Sequence, residues 1–223
     1  MIKGLWWKVS GLVLILYSII AGLIIEVPAL PVIHQTIRNL FYHVPMWFAM
    51  FIMLGTSLVY SIKYLSSLKL RDDLIASQAV NTGLFFGTMG LLTGMIWAKF
   101  TWGDFWTNDP QLNGAAVSVM AYIAYTILRG SIDERSLRAR VSAVYNIFAF
   151  MLLVIFLGIL PRLADSSLHP GKGGNSSTMG DLDPTMRLVF YPAVIGWIIV
   201  AFWILEIRRR KRIIELQQSS QIV

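Results

Sequence analysis

The 223 residues are 56% hydrophobic and 14% charged, with a mean hydropathy of +0.64, a balance that a soluble domain does not need and an integral membrane protein does. The net charge of +7 is distributed between apolar runs instead of forming one basic face, which argues against nucleic-acid binding. With no cysteine, the chain has no disulfide, thiol nucleophile, CxxC pair or thioether attachment point, so a metal would have to be held by its three histidines or by carboxylates.

The first apolar run, residues 5–27, follows Lys3 and contains Lys8. It is longer than the apolar part of a signal peptide and no small-x-small cleavage site follows it, so it is expected to stay as a first membrane helix, ended by Pro28 and Pro31. Further runs at 42–62, 74–97, 112–128, 141–160 and 185–206 bring the number of expected spans to six. The expected architecture is therefore all-α, a polytopic six-transmembrane-helix bundle forming one integral membrane domain, 1–223. Loops at 97–113 and 161–184 fall on one side, and the tail 207–223 on the other.

The basic residues set the orientation. Of the 19 lysines and arginines, 14 fall near the N-terminus, in the second and fourth connections and in the RRRKR tail. The positive-inside rule then places both termini in the cytoplasm, and the tail acts as a topology anchor without needing a second role in lipid binding. The outer side keeps Arg38, Lys99, Arg162, Lys172 and Arg187. The same side receives all three histidines, His34, His43 and His169, and the aromatic segment WAKFTWGDFWTNDPQLN from Trp97 to Asn113.

Tryptophans at a membrane edge form an interfacial belt or, if other groups converge on them, a flat platform for a large aromatic ligand. Asp104 and Asp109 keep the segment out of the hydrocarbon. His43 lies in FYHVP at the entrance of the second span, with Pro45 suited to a first helical turn, and His169 lies in SLHPG ahead of the sixth. A histidine at a helix entrance is either a polar cap or a ligand, and two imidazoles from different helices can bind haem iron from opposite faces. Arg38 and Arg187 either snorkel to the interface or meet the propionates of such a ring. Two other readings are open: a haem-transporting permease subunit of an ABC-type exporter, and a membrane anchor linked to haem or quinone. A pathway needs inward polar groups at mid-membrane depth, and the candidates are few: Gln78, Asn81 and Asn146, which can equally join helices.

Four stretches carry a family likeness across nearly the whole chain. Arg38 with FYHVP resembles an R-x-x-x-x-H-V-P entrance, and TGMIW followed by WGDFWTND resembles the tryptophan-rich WWD loop. Leu168, His169 and Gly171 are similar to an L-H-x-G loop, and DPTMR from Asp183 to Arg187 to the D-P-x-M-R after it. Together they resemble the haem-handling membrane proteins of cytochrome c maturation, the CcmC, CcmF and CcsA group. The resemblance implies haem b, bound without covalent attachment, with His43 and His169 as iron ligands; His34 has no counterpart. It further implies that Trp97, Trp102, Gly103, Phe105, Trp106 and Asp109 hold the ring, with Arg38 and Arg187 nearby. Finally, it implies a site on the periplasmic face of a bacterial inner membrane and presentation of haem to the chaperone CcmE, alongside CcmA, CcmB and CcmD. Asn108, Gln111 and Asn113 depart from the pattern, which commonly has Trp, Arg or Lys, and Thr there.

Overall fold

A helix pairs its backbone groups within itself, as a hydrocarbon environment demands. The computed structural model describes residues 4–28, 33–164, 167–169 and 182–221, so most of the expected outer loop 161–184 lies outside the described residues. Six helices are long and apolar enough to cross a membrane. They are α1 (Trp6–Ile24), α2 (Leu40–Ser67), α3 (Leu70–Trp102), α4 (Pro110–Gly130), α5 (beginning Arg135–Leu153) and α6 (Pro184–Gln221). A 3₁₀ turn, His34–Asn39, leads into α2, and α5 passes through a π-helical stretch, Val154–Ile159, before ending on Leu160–Leu163.

Several helices are longer than their apolar runs. Hydropathy marks only the lipid-facing middle, while α3 continues through Trp97 to Trp102, so the loop proper is Gly103 to Asp109. Pro45 does not open α2 but sits in its second turn, behind the 3₁₀ lead-in. At 38 residues α6 is about 57 Å long against a hydrocarbon core of about 30 Å, so its last turns project beyond the membrane.

Glycine decides how the central pair packs. Along α3, Gly83, Gly87, Gly90 and Gly94 receive Leu54, Met50, Trp47 and His43 of the antiparallel α2; a Cβ at any of the four would stand 2.7–2.8 Å from the facing side chain. α1 packs on α6 in the same way, with Gly11 facing Ile199 and Gly196 facing Leu14 and Ile15. Pro192 lacks the N–H that would bond the Leu188 carbonyl, and the Tyr17 hydroxyl of α1 donates to that carbonyl at 3.2 Å instead. Asn146 joins helices: its amide donates to Ser57 and Ser61 of α2 at 2.7 and 2.8 Å. The start of α2, the end of α3, the start of α4 and the start of α6 share one end of the bundle. At the other end Lys8 pairs with Glu206 at 2.9 Å, and Arg129 grips Asp73 with two 2.7 Å bonds.

Candidate functional site

At the first of these ends α2, α3, α4, the π-helical stretch and α6 surround a cavity of about 250 Å3, open at its mouth. His43 and His169 both line it, together with Trp47, Trp97 and Trp106. The histidines, which are 126 positions apart in the chain, are brought to one space.

His43 is buried and held on both ring nitrogens. The Thr93 hydroxyl donates to the Met89 carbonyl at 2.8 Å, which leaves its lone pairs to accept from His43 Nδ1–H at 3.0 Å. His43 Nε2 then accepts from the Trp47 indole N–H at 3.1 Å. Trp97 meets the imidazole edge-on, with centroids 5.7 Å apart, and donates its own N–H to Thr36 at 3.2 Å. Gly94 makes room for the ring.

His169 is organised by Asp109, which is almost wholly buried. Asp109 caps α4: its Oδ1 accepts from the N–H groups of Gln111 and Leu112 at 2.9 and 3.3 Å, beside Pro110 in the first turn. Oδ2 accepts from the Ser167 hydroxyl at 2.8 Å and from the Leu168 N–H at 2.7 Å. His169 Nδ1 lies 2.8 Å from Oδ1, off the line of a directed hydrogen bond, so the contact is chiefly electrostatic. Burial disfavours the Asp109 carboxylate, but the His169 ring, the Ser167 hydroxyl and the Leu168 N–H outweigh it and hold the group well below the usual carboxylate range. One carboxylate thus ties the tryptophan loop to the histidine loop.

The aromatic residues divide. Trp97 and Trp106 line the cavity, while Trp102 packs against the His169 ring at 5.2 Å. Phe105 is exposed, beneath the Lys99 ammonium at 5.6 Å. Gly103 contacts no ligand space; at φ +94° it ends α3, a conformation that favours glycine. The motif departures at Asn108 and Asn113 are coupled: Asn113 donates to Asn108 at 2.8 Å and accepts from the Trp106 indole at 3.2 Å. Two small amides hold the one tryptophan at the rim.

Neither expected arginine lines the cavity. Arg38 donates to the Gly22 carbonyl and to Gln35, both at 2.9 Å, and Arg187 to the Leu182 carbonyl at 2.7 Å. Among the described residues, the cation lining the cavity is Arg162, together with the amide of Gln111. The sequence alone gave no role to Trp47, or to Thr93, which it placed only at the start of TGMIW. A signal for both existed: Trp47 is one helical turn from His43, and Thr93 directly precedes Gly94. His34 opens the 3₁₀ turn, and its side chain lies outside the described residues.

No cluster of three or more His, Cys, Asp or Glu suited to a bare metal ion occurs among the described residues. Two histidines facing one cavity fit instead a metal that brings its own equatorial ligands.

The sequence is similar to known proteins over nearly its whole length. The profile of the family described as CcmC, Heme exporter protein C, matches residues 3–223. The chain belongs to that family. It is 30% identical over 200 residues to Heme exporter protein C of Bradyrhizobium diazoefficiens, spanning 84% of this chain and 73% of that one. It is also similar to the cytochrome c biogenesis protein CcsA of Pelargonium hortorum, 29% identical over 110 residues, and of Adiantum capillus-veneris, 30% identical over 97 residues. Those matches take in 48% and 44% of this chain but only 34% and 29% of the CcsA chains. The CcmC family therefore spans the whole bundle, whereas the likeness to these CcsA proteins covers about a third of their length.

Proposed function

We propose that the chain handles haem in cytochrome c maturation, binding haem b as cargo between His43 and His169 on the periplasmic side of the bacterial inner membrane. It presents the ring to CcmE and works with CcmA, CcmB and CcmD. The observation that carries this reading is the matched state of the two imidazoles. Each has Nδ1 beside an oxygen, Thr93 Oγ1 or Asp109 Oδ1, which favours the tautomer that directs Nε2 to a metal; in His43 the Trp47 N–H must first give up that nitrogen. Haem supplies the iron and the reactive vinyl group; this chain supplies position. Trp97 and Trp106 offer apolar ring surface, and Gln111 and Arg162, which also donates to the Gly158 carbonyl, are the rim groups placed to meet propionates. Arg38 and Arg187 do not line this cavity, and their bonds to the Gly22 and Leu182 carbonyls steady the entrances of α2 and α6.

The cavity is smaller than the ~300 Å3 at which ligand pockets begin, so a porphyrin extends past the rim and the bound state needs the loops to part. A ring held by its inner part presents its outer edge to a partner. The test is the absorption spectrum of purified His43→Ala and His169→Ala. Each is expected to alter the Soret and α/β bands or lower haem content, with His34→Ala near wild type; equal loss from His34→Ala would refute the chosen pair.

A further inference from the structure

At the end of the bundle remote from the histidines, α3, α4, α5 and α6 line a second, open cavity of about 440 Å3. Five cationic side chains line it, Arg129, Arg138, Arg208, Lys211 and Arg212, against one carboxylate, Glu215. Part of that charge is already satisfied. Arg129 is committed to Asp73, and Arg212 and Lys211 share Glu215 at 2.9 and 3.8 Å. Arg138 donates to the Ile132 carbonyl at 3.4 Å and feels the Glu134 carboxylate without a close ion pair, and Arg208 makes no ion pair among the described residues. On the neighbouring face of α6, Arg209 shares a third cavity with Arg71 and Arg135, and its Nε is buried without a partner.

Fixing orientation requires only that basic residues lie near helix ends; it does not require guanidinium groups from three helices to converge on one concavity. Convergence raises the local positive potential, which an anion relieves. Depth identifies the anion. Arg208 lies 24 residues along α6 from Pro184, about 36 Å, close to the thickness of the hydrocarbon core, so the cavity opens at headgroup level. Ile127 and Ile207, adjacent to the lining turns, are exposed and offer apolar surface to acyl chains.

We propose that this cavity binds the phosphate headgroup of an anionic phospholipid. The forks of Arg138 and Arg208 grip the phosphate oxygens, and the amides of Gln78 and Asn81 donate to what remains of the headgroup. The lipid neutralises the charge that α4, α5 and α6 bring together and fastens the projecting part of α6 to the bundle.

The test uses the full chain, purified and delipidated in detergent. Phosphatidylglycerol, phosphatidylcholine or inorganic phosphate is added, and thermal midpoint and lipid retained in native mass spectrometry are read. Phosphatidylglycerol is expected to raise the midpoint and stay bound, with no effect from the other two. Arg138→Gln and Arg208→Gln each lower its affinity by about fivefold, and the pair by roughly 25-fold, as expected for loss of one and two cations at a lipid surface. Arg208→Gln breaks no ion pair, and unchanged helix content by circular dichroism checks its fold. Equal retention of phosphatidylcholine, a shift reproduced by inorganic phosphate, or undiminished affinity in the double variant would overturn the proposal. Failure of phosphatidylglycerol to bind the native chain would also overturn it and leave the cavity to an acidic protein segment.

Discussion

The Trp47 indole occupies the nitrogen of His43 that the proposed iron ligation would need. The N–H therefore competes with the metal for one lone pair. Trp47→Phe keeps a ring against Gly90 but removes the donor, and a hydrogen bond worth about 1 kcal/mol net predicts roughly fivefold tighter haem binding in a titration followed at the Soret band. Weaker binding would mean that the indole supports the ring instead of opposing the metal. Asp109 acts in the other direction, since its carboxylate serves the α4 cap, the Ser167–Leu168 segment and His169 together. Asp109→Asn keeps a capping oxygen but loses the charge beside His169, so the expected result is perturbed axial ligation with helix content nearly unchanged. Circular dichroism and absorption spectra of one sample separate the two effects. Arg38 and Arg187 illustrate how little a residue's identity says of its partner: each donates to a backbone carbonyl, and neither lines the cavity.

At the scale of elements, the glycine face of α3 sets the position of everything α2 carries. A methyl at Gly94 meets a stiff imidazole, whereas one at Gly87 meets the flexible Met50 thioether. Gly94→Ala is thus expected to lower haem content sharply at a stability cost of about 1–3 kcal/mol, and Gly87→Ala to leave haem content nearly intact. Haem-to-protein ratios of the two purified variants decide this. The tryptophan loop behaves as a unit as well, because Asn108 steadies Asn113 and Asn113 holds Trp106. If the chain presents haem as proposed, Asn113→Ala should loosen Trp106 and leave His43 and His169 in place, so that haem is retained and covalent transfer to a co-expressed CcmE falls. Full transfer would reduce the loop to an interfacial belt. Gly114 faces the Phe156 backbone across the π-helical stretch, which lets Leu157 line the cavity.

For the whole molecule, the histidine cavity and the arginine cavity lie at opposite ends of six helices. The bias of basic residues predicts cytoplasmic signals from reporter fusions at Ser67, Ser131 and Ser220 and a periplasmic signal at Asn113. A cytoplasmic signal at Asn113 would invert the site. Composition, hydropathy and motif order sufficed for the membrane class, the all-α fold, six spans and the family, because burial in lipid and the positive-inside bias act on each segment separately. They also marked His43, His169 and Asp109, whose spacing within the motifs is local. What only the tertiary structure decided was partnership. Which face of α3 admits α2, which nitrogen Trp47 caps, that Asp109 reaches across 58 residues to Ser167, and that Arg162 instead of Arg38 lines the cavity all depend on contacts between distant segments. Hydropathy is a property of each residue in turn, whereas a hydrogen bond or a close approach belongs to a pair, and a pair is defined only when the helices have packed.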